Sequence, residues 1–154
     1  MFLILAALFI GRFEGYEATP YKDAAGYATV GYGHLITNNI WYSFDTNENQ
    51  RLEPEEATAL LEYDIGRHMS WEKLLIKPLA MNKKIAVASL AFNVGTNSKA
   101  IKDIIYHLNR DEDILASKVF LKYTKARIDG KLVELRGLKL RRQLEYKLFL
   151  GENK

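Results

Sequence analysis

The chain contains no cysteine, which removes disulfides, thiolate metal sites and cysteine nucleophiles together. It has three prolines and no tract rich in Pro, Gly and Ser, so nothing in its composition marks a linker. No internal repeat is visible. Its longest apolar run, Met1 to Ile10, falls well short of the roughly 20 residues that span a bilayer. The same run lacks a basic leading stretch and a convincing cleavage site before Glu14, as a secretion signal would need. It reads as a buried first helix. Transient membrane association through residues 1–10, as a remnant of an export signal or anchor, stays open beside that reading. Three histidines, His34, His68 and His107, show no metal-ligand spacing, so neither a metal nor a cofactor is expected.

What is present is the material of an ordinary folded domain. At 154 residues the chain buries about two-thirds of its unfolded surface. Hydrophobic residues at 48% and charged residues at 27% exclude a disordered chain. The net charge of +3 is unevenly placed. From Leu121 to Lys154 there are ten Lys and Arg against four Asp and Glu, so this stretch is strongly basic and residues 1–120 are net acidic. A clustered excess of cations attracts anionic partners: nucleic acid, anionic lipid or wall polymers. A solvated helix face with no partner accounts for it equally well.

Residues 15–37 hold four glycines, Pro20 and a run of aromatic and β-branched residues, the signature of a short antiparallel sheet with tight turns. The polar stretch 38–50 reads as a loop. Pro54 followed by Glu55 and Glu56 suits a helix start. That helix should run towards Leu75, with Gly66 a weak point, until Pro78 breaks it. Asn82 is placed to cap an apolar helix through Ile85 to Phe92. Further helices are expected at about 98–109, 112–124 after an Asp111 cap, and 137–149 before Gly151. One helix, a small sheet and then helices only make an α+β fold.

An enzyme built from this inventory must use carboxylates, histidines and hydroxyls. Glu14 follows an apolar helix, where partial desolvation favours its protonated form. Asp23 sits in a Gly-rich hairpin and can stay ionised. Glycosidases need that division: one carboxyl protonates the leaving oxygen and the other serves water or the sugar. Spacing alone leaves the alternative, a locally paired Glu14 and a turn residue Asp23, in place.

The wording of the segment is more specific. Phe13-Glu14-Gly15, Pro20-Tyr21-Lys22-Asp23, Gly26-Tyr27 and Thr29-Val30-Gly31-Tyr32-Gly33-His34 closely resemble the glycoside hydrolase family 24 lysozymes, the phage endolysins of T4-type and lambdoid muramidase kind. The resemblance continues through Glu56-Ala57, Leu60-Leu61 and Asp64, then Ala91-Phe92-Asn93-Val94-Gly95. It ends in Gly137-Leu138, Arg141-Arg142, Glu145 and Leu148-Phe149. It implies a single lysozyme domain over 1–154: a small β-containing lobe at roughly 12–60, a helical lobe formed by 1–11 and 61–154, and an active-site cleft between them. The implied activity is hydrolysis of the β-1,4 bond between N-acetylmuramic acid and N-acetylglucosamine. The partner is then bacterial peptidoglycan and not nucleic acid, and the chain acts as a monomer made in the host cytoplasm and directed at the wall.

Residue by residue, the resemblance makes Glu14 the general acid and gives Asp23 and Thr29 the attacking water, with inversion in the T4-type reading. Asn93 falls where the family brings an amide to the substrate, although a helix ending in Asn-Val-Gly is also a simple stop. Arg142 is implied to reach Glu14; pairing with its helix neighbour Glu145 is the alternative. His34 belongs to the motif in a supporting role. The loop aromatics Trp41, Tyr42 and Phe44 either stack on sugar or cover the small sheet. Asp45 to Glu56 imitates a calcium loop but puts Gln50 where the turn needs Gly, and calcium is not expected. The rivals are a non-catalytic peptidoglycan-binding module, a membrane-associated scaffold and a hydrolase of chitin-like glycans.

Overall fold

The computed structural model describes residues 1–152. It divides into two compact units, Met1–Arg67 and His68–Lys154. The division falls beyond residue 60, and the first helix belongs to the first unit rather than the second.

In the first unit, α1 (Phe2–Ile10) ends where the Gly11 N–H reaches Ala7 O. Its Ala6, Ala7 and Ile10 side are buried, and α1 packs on α2 (Pro54–Arg67). Between them in the sequence comes a three-stranded antiparallel sheet in chain order, β1 (Glu17–Lys22), β2 (Ala28–Gly31) and β3 (His34–Leu35). Thr29 lies opposite Tyr21 on one side and Leu35 on the other. Gly31 closes β2 at φ +64, and a Cβ there would meet Leu52 and Ala57 at 3.4 and 3.5 Å. The position therefore needs glycine for its backbone, while a methyl there would make only ordinary contacts.

The expected loop at 38–50 contains a 3-10 turn, Ile40–Ser43. Trp41 from that turn is buried with Val30, Leu52, Ala57 and Leu60, and Phe44 packs against the same cluster. Two of the three loop aromatics thus cover the sheet, while Tyr42 is exposed and stacked on Trp41. Glu56 makes the start of α2. It accepts from the Glu53 N–H at 2.8 Å, the Thr46 N–H at 2.8 Å and the Thr46 hydroxyl, which is a capping box extended to the loop before it. These hydrogen bonds, the Thr46 hydroxyl foremost, hold the Glu56 carboxyl below its ordinary range. Asp45 likewise accepts from the Asn49 and Gln50 amides. The first and last acids of the calcium-like template, Asp45 and Glu56, are thereby engaged by neighbouring amides and the Thr46 hydroxyl. Helix α2 stops at Arg67, directly after Gly66, and does not continue to Leu75. A separate 3-10 turn, Ser70–Leu74, follows.

In the second unit α3 (Met81–Val94) is buried along Ile85 to Ala91 and packs on α6 (Arg136–Leu150). Its N-cap is Ala80, not Asn82. The Asn82 amide instead donates to Leu148 O and Phe149 O, both at 3.0 Å, satisfying carbonyls at the end of α6. Helices α4 (Lys99–Leu108) and α5 (Asp113–Phe120) pack together. The expected Asp111 cap is displaced by one residue: Glu112 is the N-cap and Asp111 takes φ +59. The chain is not helical throughout its second half. Strands β4 (Lys125–Ile128) and β5 (Lys131–Glu134) form an exposed hairpin with Asp129 and Gly130 at φ +48 and +79, the conformation that favours Asp-Gly in a two-residue turn. Gly151 closes α6 in the left-handed region.

Candidate active site

Glu14 stands in the turn after α1, half-buried. Gly33, at φ +77, lies beside its carboxylate: a Cβ built there would lie 3.7 Å from Glu14 Oε2. The glycine bends the chain from β2 into β3 and brings bare backbone against the acid.

Asp23 begins the turn between β1 and β2. Its Oδ1 accepts from the Ala25 and Tyr27 amides, both at 2.9 Å, an Asx-type turn that fixes the carboxylate plane. Thr29 is buried in β2, and its hydroxyl donates to Tyr27 O at 3.0 Å. Tyr27 O also accepts from the Asp23 amide at 2.9 Å. The main chain of one residue, Tyr27, therefore holds both side chains. The Asp23 Oδ2 atom has no hydrogen bond among the described residues. The Thr29 hydroxyl proton is spoken for, which leaves its oxygen as an acceptor.

His34 opens β3 with its ring buried. Nδ1 lies 2.8 Å from Asp64 Oδ2 on α2. The pair ties the residue after Gly33 to the helix behind the sheet.

The remaining candidates lie in the second unit. Asn93 is exposed on the last turn of α3, which Gly95 ends by donating to Ala91 O. Arg142 is fully buried. Its Nε lies 2.7 Å from Glu145 Oε2 and its Nη2 donates to Glu145 Oε1 at 3.0 Å. This is the helix-neighbour pairing, made in the core and not in solvent. Glu145 Oε1 also accepts from the Ser89 hydroxyl at 2.6 Å and Arg141 Nε at 3.2 Å. Burial pushes the Arg142 guanidinium below its ordinary range against the pull of Glu145. Burial likewise pushes the Glu145 carboxyl up, opposed by Arg142, Ser89 and Arg141. Asp64, Ser89 and the Tyr27 main chain had no role assigned from sequence. Asp64 and Ser89 meet their partners across 30 and 56 residues, and no local pattern announces such contacts.

The family model for phage lysozyme matches residues 11–145. The chain belongs to the phage lysozyme family. It is 36% identical over 141 residues to an endolysin of Acyrthosiphon pisum secondary endosymbiont phage 1, covering 91% of each chain. It is 30% identical over 143 residues to the endolysin of Salmonella phage P22, again covering 91% of each. Among solved structures it resembles the muramidase domain of SpmX from Asticaccaulis excentricus, with a TM-score of 0.77, 28% identity and 95% of each chain covered. A P22 lysozyme mutant gives a TM-score of 0.72 and 28% identity, with 95% of each chain covered.

This lysozyme is a glycoside hydrolase with an endolysin role in peptidoglycan lysis. Its α+β fold is the lysozyme-like one. In the first unit, residue types suited to glycosidic cleavage occur together: a half-buried carboxyl, an oriented carboxylate and a buried hydroxyl. Among the described residues no three of His, Asp and Glu gather into a metal-binding group.

Proposed function

We propose that Glu14 is the general acid for cleavage of the β-1,4 bond between N-acetylmuramic acid and N-acetylglucosamine, and that Asp23 and Thr29 together hold the attacking water. The observation that carries this reading is the shared anchorage of Asp23 and Thr29 on Tyr27. With Asp23 Oδ1 occupied by two amides and the Thr29 proton given to Tyr27 O, Asp23 Oδ2 and the Thr29 oxygen are both acceptors. A water between them places its two protons on these atoms and directs a lone pair at the anomeric carbon. Asp23 takes the proton as the bond forms, and Glu14 gives its proton to the leaving oxygen. Direct attack by water inverts the anomeric centre. The half-burial of Glu14 against Gly33 supports its use as the proton donor.

On this reading the whole chain works as one lysozyme domain, a monomer made in the host cytoplasm and delivered to the wall. Asn93 touches the glycan, and Arg142 acts through Glu145 by holding α6. Residues 1–10 add a transient membrane contact. Ile4, Leu5 and Leu8 form an exposed apolar stripe on α1, although no described helix is long and apolar enough to cross a membrane. The catalytic assignment is tested by the lytic rates of Glu14→Gln, Asp23→Asn and Thr29→Val on purified walls. Each should fall by about 10²–10⁴-fold, the usual value of a positioned acid or base. A Glu14→Gln enzyme with more than about a tenth of the wild-type rate has lost no general acid on that scale, and the assignment fails.

A further inference from the structure

The β4–β5 ribbon serves no part of the chemistry above and is almost entirely exposed. A two-stranded hairpin is marginally stable in water by itself, yet this one leaves Ile128, Leu132 and Val133 exposed at 45, 64 and 40%. Directly opposed residues of an antiparallel pair share a face. The observed register therefore puts Lys125, Arg127, Leu132 and Glu134 on one face and Ala126, Ile128, Lys131 and Val133 on the other. The second face carries no acid. Glu134, on the first, is engaged by Lys139 and Thr124.

The surroundings are basic. Among exposed charged residues from 118 to 147, eight are Lys or Arg and two are Asp or Glu. Lys122, Lys125 and Lys131 have no ion-pair partner among the described residues. Neither strand carries an aromatic ring, so the ribbon lacks the stacking surface that single-stranded nucleic acid uses and that sugar rings would use. Branched aliphatic side chains flanked by long cationic stems suit the boundary between lipid headgroups and acyl chains, where Lys and Arg reach the phosphates while their methylenes stay in apolar surroundings.

We propose that the Ile128, Val133 and Lys131 face of the ribbon is a docking surface for an anionic lipid bilayer. Ile128 and Val133 enter the headgroup region, and Lys131, with Lys125 and Arg127 at the margins, lies against lipid phosphates. The contact is separate from the glycosidic chemistry and from the α1 stripe.

The test is co-sedimentation of the full chain with phosphatidylglycerol-containing vesicles and with pure phosphatidylcholine vesicles, at low and high ionic strength. Each ribbon variant is also made in a Leu8→Lys background, so that any contribution of α1 is subtracted. Binding should require the anionic lipid and weaken with salt. Lys131→Glu should lower the apparent affinity by about tenfold or more, given about 1 kcal/mol per cation near an anionic surface. Ile128→Ser should also lower it, whereas Leu132→Ser on the opposite face should leave it unchanged. Lysis of soluble peptidoglycan fragments should be equal in all of them. Failure to bind anionic vesicles at low salt would overturn the proposal, as would equal losses from Ile128→Ser and Leu132→Ser. Ribbon-dependent sedimentation with purified wall but not with vesicles would reassign the surface to the glycan.

Discussion

Replacing Glu145 with Gln removes the carboxylate that Ser89, Arg141 and Arg142 share in a buried cluster. Glu145 is completely buried, as is Arg142, and Arg141 is 4% exposed. The carboxylate takes four contacts: the Ser89 hydroxyl at 2.6 Å, Arg142 at 2.7 and 3.0 Å, and Arg141 at 3.2 Å. Glutamine keeps one acceptor but leaves the two guanidiniums without that charge. Breaking a buried ion pair from one side costs about 3–5 kcal/mol. For a chain of this size each kcal/mol moves Tm by roughly 2–4 °C, so Glu145→Gln should melt about 6–20 °C lower by circular dichroism. The double variant Arg142→Met with Glu145→Leu removes both partners and fills the space, and it should lose less than the sum of its single changes. A Glu145→Gln protein melting within about 2 °C of wild type, under 1 kcal/mol on that scale, would show that the cluster does not hold α3 to α6 as described.

Three further outcomes are expected. His34→Ala removes the buried ring that pairs with Asp64 and should cost about 1–3 kcal/mol in urea unfolding; a smaller loss means the 2.8 Å contact adds little. Gly33→Ala forces an L-residue to φ +77 and should cost about 1–2 kcal/mol, chiefly from backbone strain, since the added methyl makes only ordinary contact with Glu14. Glu56 titrates below its ordinary range in the folded chain, so its stabilising contribution is complete above the unfolded carboxyl value and is lost as pH falls through the folded one. Glu56→Gln should therefore flatten the acid side of the stability-against-pH curve; parallel curves for the two proteins would contradict the capping role.

Glu14, Asp23 and Thr29 stood out as candidates because they belong to one short segment that resembles the phage lysozymes; spacing alone left Glu14 and Asp23 open and gave no role to Thr29. The central helix α3 was legible because its apolar run is long and uninterrupted. The β4–β5 ribbon was not. Its Asp129-Gly130 turn is a hairpin signal, but strands exposed on both faces carry no apolar alternation to confirm it. The apolar pattern points past Arg67 towards Leu75, but the helix stops one residue after Gly66, where the poor helix preference of glycine outweighs that pattern. Asn82 read as a cap by type, but tertiary contact with α6 set its role. The sequence alone also left Arg142 between two partners, and its burial beside Glu145 depends on how α3 covers α6, which local spacing does not encode.

The most direct test of the central claim is muropeptide analysis of purified wall incubated with wild type and with Glu14→Gln. New reducing ends at N-acetylmuramic acid should appear with the wild type and be absent with the variant. Equal release by both would remove Glu14 as the acid.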